Sequence, residues 1–401
     1  MATQFPSAGT RLVFRCADPS APAEEYAALL AAIGNDAAMW QHVVVLAGRE
    51  LAVGALWRSL RPHASALPPV VVEHLQRGAM VEEFRMRHLA ARLAQTVAAL
   101  GIAEVPVLLL KGAAVGAVID PSFVSRPMTD LDLLVPTADI ARAHEALLAT
   151  GWTQTSDPLL LHLLADGHHL PPYLDAQMPG VRLELHTALL PPDSAFGFDA
   201  AAFWADASTS GVPFAGARIP SRAHQLVHAS AHFAWQHAMG FGAWRTLRSV
   251  ALLLESPSFE WPSLVRLATA SRAVTSVYWT LRVGAMLAGL RVPPDVLAAL
   301  APPTPESLRA ALTRHFITSL VPGEGPVSPS ARLSWWLWRM ALRPRWSGHP
   351  VPRRWEADQR WIAAYESAQR REGPDPLSSR MARHAGAYRQ WWAFASRTLW
   401  R

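Results

Sequence analysis

Between roughly residues 100 and 210 the chain abandons the spacing of apolar residues that it keeps on either side. Upstream, segments 23–33, 40–60 and 70–100 repeat apolar residues at the three-and-four spacing of a helix; Arg61-Pro62 closes the second and Gly101 the third. Downstream, the spacing returns in segments 221–238, 241–255, 261–270, 273–290, 294–301 and 305–320. In between, residues 105–110 form a short apolar run fit for a buried strand, followed by Lys111-Gly112 and a helix to Ile119. Residues 130–135 read as a second strand stopped by Pro136, and 137–150 as a helix with Thr137 as its cap. Residues 169–174 read as extended. Residues 181–187 set Val181, Leu183 and Leu185 against Arg182, Glu184 and His186, the alternation of a half-buried strand. The plan is α+β: helical, then α/β, then helical. The expected boundaries are an N-terminal helical segment at 1–100, a core at 101–212, a helical domain at 213–320 and a tail at 331–401, with a Pro/Gly-rich linker at 321–330.

Composition excludes several classes. No apolar run approaches the roughly 18 residues of a membrane span, and no basic start leads into a long apolar stretch, so the expectation is a cytoplasmic protein. Cys16 is the sole cysteine, which excludes an internal disulfide and a zinc site with several cysteine ligands. Charge is uneven: residues 331–401 carry 14 arginines and 5 acids, whereas the rest of the chain is slightly acidic. That tail also holds nine of the 17 tryptophans. Arg interleaved with aromatics can stack bases and neutralise phosphates, pack a small helical domain, or lie on an anionic membrane.

Asp130 and Asp132 stand two apart on a predicted strand and so project from one face. Side by side and unpaired they would repel, and burying a carboxylate is costly. A divalent cation removes the difficulty, and hard oxygen ligands suit Mg²⁺. Glu184 lies on the polar face of another predicted strand, with His186 on the same face, and could complete a three-carboxylate site able to flank a phosphoryl group with two metals. The plainer reading is a surface strand entry. Against it, Leu131, Leu133 and Leu134 mark a core strand, with the carboxylates at its entrance. That chain order differs from D-x-D enzymes in which the motif ends an apolar strand.

Of the 37 basic residues only Lys111 is a lysine. It sits at a strand–turn–helix junction where Gly112 allows close backbone approach and the helix start offers free N–H groups to an anion. Lys111 could reach a phosphate or be a surface charge. Arg126 could contact a phosphate or pair with a carboxylate. His168, His169 and His186 lie near the predicted site in substrate-contacting or structural roles. His224, His228 and His232 recur every four residues, a spacing that can bind zinc but fits a packed helix better. Arg245 and Arg248 could face a triphosphate or serve the surface.

In order, VLLLKG (residues 107–112), Arg126, TDLDLLV (129–135), a helix, Gly151-Trp152, His168-His169 and LELH (183–186) resemble the uncharacterised nucleotidyltransferase family of the DNA polymerase β superfold. The resemblance spans roughly residues 40–255. It implies a polymerase β-like core with a small mixed sheet, and Mg²⁺ or Mn²⁺ held by Asp130, Asp132 and Glu184. Lys111, Gly112, Arg126 and His186 would contact a nucleoside triphosphate such as ATP. A nucleoside monophosphate would pass to an acceptor (small molecule, peptide, protein or RNA) with release of pyrophosphate. The superfold usually has Gly-Ser where this chain has Lys111-Gly112, a departure that leaves the phosphate contacts at that turn open. The alternative is a nucleotide- or partner-binding protein that keeps the fold without turnover. The basic tail makes nucleic acid a further possible partner.

Overall fold

The computed structural model describes residues 5–154, 168–178, 180–191, 196–321, 324 and 331–342. The N-terminal arm runs through α1 (Ala8–Arg15), α2 (Ala23–Ile33), α3 (Ala37–Glu50), α4 (Val53–Leu60) and the long α5 (Pro69–Ile102). Side-chain oxygens of Ser7 and Asp36 accept from the backbone N–H of Thr10 and Met39, capping α1 and α3. Proline at the start of α5 gives up an N–H that would have no partner there anyway. The single helix expected over 40–60 is two, parted at Leu51, whose φ is 58°. Tertiary anchors turn the chain there: buried Glu50 accepts the Trp244 N–H at 3.1 Å, and Arg49 donates to the Leu320 carbonyl at 2.6 Å.

The middle of the chain forms β1 (Leu108–Leu109), α6 (Lys111–Ile119), β2 (Asp130–Leu134), α7 (Ile140–Ala149), β3 (Trp152–Gln154), β4 (Tyr173–Asp175), β5 (Arg182–His186), α8 (Ala200–Ala205), β6 (Ser208–Thr209) and β7 (Arg218–Ile219). The strands make one mixed sheet in the order β3-β4-β5-β2-β1-β7-β6. β2 pairs parallel with β5 and antiparallel with β1. Strands β6 and β7, two residues each, are too short for alternation to reveal them. The C-terminal helices are α9 (Arg222–Ala231), α10 (Ala243–Leu254), α11 (Trp261–Ala270), α12 (Val274–Ala288), α13 (Pro294–Leu300), α14 (Glu306–Leu320) and α15 (Ala331–Leu342). The helix expected over 221–238 stops at Ala231 and gives way to a π turn, His232–Gln236. Among the described residues no helix is long and apolar enough to cross a membrane. Most of the Arg/Trp-rich tail, residues 343–401, lies outside the described residues.

Two main apolar cores organise these elements. Leu12, Phe14, Trp40 and Leu56 from the N-terminal arm share one with Phe233, Trp244, Trp279 and Phe316 from the C-terminal helices. The other lies on one face of the sheet and joins Leu131, Leu133, Leu183 and Leu185 to Met86, Leu89, Leu93 and Val97. Helix α5 therefore serves both: Val71 and Leu75 reach the first core, and its second half covers the sheet.

Helix α5 is locked to the sheet by Arg92. Its guanidinium donates to Asp175 at 3.0 Å, to Gln95 at 2.6 Å and to the Thr150 carbonyl at 3.0 Å, and it stacks 4.7 Å above Trp152. Both Arg92 and Asp175 are buried. Removing Arg92 leaves buried Asp175 with only His88 Nε2 at 2.8 Å and the Gln177 N–H at 2.9 Å, and loses the contacts to Thr150 and Trp152 as well. Arg92→Ala is expected to lower unfolding free energy by about 3–5 kcal/mol, read as a shift of the urea midpoint. A shift below about 1 kcal/mol would show that the pair does not hold α5 in place.

Candidate functional site

The sheet brings the acidic residues together through register. β2 and β5 run parallel with Asp130 opposite Arg182, Asp132 opposite Glu184 and Leu134 opposite His186. Residues opposed on neighbouring strands point to the same face, so Asp130, Asp132 and Glu184 share one side of the sheet while Leu131 and Leu133 fill the core on the other. Ligand atoms of Asp132, Glu184 and His186 all lie within 4.8 Å of one another and can share one cation. Asp130 lines the same cavity but stands outside that group; its carboxylate accepts from Thr129 Oγ1 at 3.3 Å.

Lys111 and His186 supply the positive charge that the cluster needs. Lys111 Nζ donates to Asp132 Oδ1 at 2.7 Å and lies 3.8 Å from Glu184. A carboxylate only accepts, so the His186 Nε2 at 2.9 Å from the same Oδ1 is the protonated nitrogen. No hydrogen bond reaches Asp132 Oδ2 among the described residues. Burial alone would push the Asp132 carboxyl up, but Lys111 and the His186 hydrogen bond hold it well below the ordinary carboxylate range. Burial and then the charge of Asp132 raise Asp130. Burial works against charge on Lys111, yet Asp132, Glu184 and Asp130 together raise it. The turn into α6 is made by Lys111 itself, with φ 45°, rather than by Gly112. Gly112 serves a close approach instead: a Cβ there would stand 3.0 Å from the Arg126 guanidinium and 3.2 Å from Met128 Sδ.

Above the carboxylates lies a cavity of about 280 Å³ between the sheet and the C-terminal helices. Lys111, Gly112, Arg126, Asp130, Asp132 and Glu184 line one side, and Gln225, His232, His237, Phe241 and Arg245 the other. Arg126 pairs with no carboxylate among the described residues; it donates to Ser249 Oγ and to the Pro127 carbonyl, both at 2.8 Å. Arg245 donates to Thr129 Oγ1 at 3.3 Å, and its buried Nε has no partner. Burial and then the charge of Arg245 push Arg126 down to about 10. Two guanidinium groups without acids thus face a wall of carboxylates. Arg248 turns elsewhere, donating to the carbonyls of Ser125 at 2.8 Å and Ala17 at 3.2 Å.

The histidines separate by role. His168, His169 and His186 pack ring to ring with centroids 4.9–5.2 Å apart, and burial pushes His168 down to about 2. The i, i+4 series on α9 does not converge on a metal site. His224 pairs with Asp206 at 2.9 Å, His228 faces the Leu189 carbonyl at 3.2 Å, and only His232 lines the cavity. His237 and Phe241 carried no sequence signal, because they follow the π turn, which shifts them off the helical repeat, and Gln225 sits on α9 with nothing in the pattern to single it out.

The model of a family described as uncharacterised nucleotidyltransferase matches residues 36–289. No curated protein and no solved structure matches the chain. The match covers more than half of the sequence, the whole sheet and helices α9 to α12, so every cavity-lining residue falls within it. The chain belongs to the uncharacterised nucleotidyltransferase family.

Proposed function

We propose that this protein is a metal-dependent nucleotidyltransferase that transfers a nucleoside monophosphate from a nucleoside triphosphate to an acceptor and releases pyrophosphate. The observation that carries this reading is one cavity with carboxylates on two parallel strands facing two arginines that have no acid partner. The strand–helix–strand order, with the third carboxylate on the parallel neighbour, supports a polymerase β-like core at about residues 101–212. The donor set fits Mg²⁺ or Mn²⁺: the Asp132 and Glu184 carboxylates converge beside His186, and Asp130 lines the same cavity. When bound, the ion would lower the cost of charge developing on the transferred phosphoryl group. Asp132 and Glu184 would hold it, with Asp130 completing the set. His186 then keeps Asp132 oriented through Nε2. Lys111 neutralises the cluster before substrate arrives. The acceptor's attacking atom forms its bond to the α-phosphorus as the bond to pyrophosphate breaks, and the acceptor's proton passes to a carboxylate of the cluster. Arg126 and Arg245 would hold the β- and γ-phosphates, where charge-assisted hydrogen bonds are strongest.

With each labelled triphosphate, Mg²⁺ and cell extract, the protein is expected to release pyrophosphate and label an acceptor. Asp130→Asn, which breaks no ion pair, is expected to cut turnover about 100-fold or more without changing the circular dichroism spectrum. Chelation by EDTA removes activity and added Mg²⁺ or Mn²⁺ restores it. Tight triphosphate binding with no pyrophosphate release under any acceptor condition would instead establish a non-catalytic binder. Arg126→Ala and Arg245→Ala are each expected to raise the triphosphate Kd about 10- to 100-fold by calorimetry at low salt. Unchanged affinity in both variants contradicts their assignment to the phosphates.

A further inference from the structure

The cavity has a second end that phosphate chemistry does not explain. After the π turn His232–Gln236 the backbone passes through positive φ at Ala238 (49°), Met239 (52°) and Gly242 (69°) before α10 begins. Left-handed backbone at two non-glycine residues is costly and persists where the surroundings fix it. What this segment holds in place is a ring stack. His237 and Phe241 lie with centroids 3.9 Å apart and planes 27° from parallel, and His232 braces His237 edge-on at 4.2 Å. Phe241 remains 55% exposed and lines the same cavity as Asp130, Asp132 and Arg245.

The stack is apolar in character at neutral pH. Burial pushes His237 down to about 4, so its ring is neutral, and phenylalanine carries no charge. The ring faces themselves offer a phosphate no donor; a flat, uncharged π system finds its match in them. The same cavity offers a polar contact as well. Gln225 is 5% exposed, and its Nε2 donates to the Pro220 carbonyl at 2.7 Å. That carbonyl accepts only, so the amide orientation is fixed and Oε1 is left buried without a partner. An acceptor in that state calls for an N–H or O–H from whatever fills the cavity.

We propose that the exposed face of Phe241, backed by His237, is the platform on which the nucleobase of the triphosphate stacks, with Gln225 Oε1 accepting a hydrogen bond from the nucleoside. The inference rests on the proposed nucleotidyltransferase activity and extends it from the phosphates to the base. It makes the C-terminal helical region, rather than the sheet, the part of the chain that distinguishes a nucleotide from inorganic polyphosphate.

The test compares ATP, GTP, CTP and UTP with inorganic tripolyphosphate, using calorimetry with Ca²⁺ on the full chain and on Phe241→Ala and Phe241→Trp. Phe241 is largely exposed, so the fold tolerates its truncation. The wild type is expected to bind at least one nucleotide about ten-fold or more tighter than tripolyphosphate. In Phe241→Ala that nucleotide's Kd rises to near the tripolyphosphate value, tripolyphosphate binding stays unchanged, and Phe241→Trp restores the nucleotide. Equal nucleotide affinity in wild type and Phe241→Ala, with tripolyphosphate still bound, overturns the platform and leaves the nucleotidyltransferase activity standing. Failure of the wild type to bind both nucleotide and tripolyphosphate overturns the two together.

Discussion

A carboxylate buried on the floor of a cavity must be compensated, and in this protein the burden falls on Asp132. Parallel pairing of β2 and β5 fixes it beside Glu184, so the fold brings two negative charges to one place. The chain answers with Lys111 at 2.7 Å and His186 Nε2 at 2.9 Å, both on Oδ1. Both donors are set by backbone: Lys111 by the positive φ that turns β1 into α6, and His186 by its position two residues after Glu184 on β5. The sheet could not carry these acids with apolar residues in place of the donors, because unpaired burial would cost several kcal/mol per charge. Under the proposed mechanism, the same arrangement readies the site for a cation.

The rest of the molecule follows from closing that cavity. The helices after Ser221 lie over the sheet and contribute Arg245, His232, His237 and Phe241 to the far wall. They are held to the N-terminal arm by a shared apolar core, and α5 ties that core to the sheet. The wall above the carboxylates is therefore part of the main packing of the chain. Gly112 shows the tolerance involved, since a single added carbon would press on the Arg126 guanidinium.

The sequence disclosed this plan unevenly, for physical reasons. The β2 and β5 strands were legible because their alternation or apolar run survives over five residues, and the acids Asp130, Asp132 and Glu184 fell on the faces that parity assigns. The solitary lysine drew attention to position 111, but its contact with Asp132 depends on a pairing between β1 and β2 that composition does not reveal. Arg126 and Arg245 were visible as residues, while the lack of a salt bridge to either among the described residues is a tertiary fact. The break at Leu51 and the π turn after Ala231 were invisible because helical periodicity runs through both. His237 and Phe241 were hidden with the latter.

At the heart of the proposed mechanism, Asp132 and Glu184, which Lys111 neutralises in the free protein, would hold the divalent ion when it binds with the triphosphate. Anomalous diffraction from crystals grown with Mn²⁺ and a non-hydrolysable nucleoside triphosphate would observe that binding directly. The expected result is a manganese peak about 2.2 Å from carboxylate oxygens of Asp132 and Glu184, with the β- and γ-phosphates against Arg126 and Arg245. Manganese absent from this cavity, with Lys111 still on Asp132 and the triphosphate bound elsewhere, would contradict it.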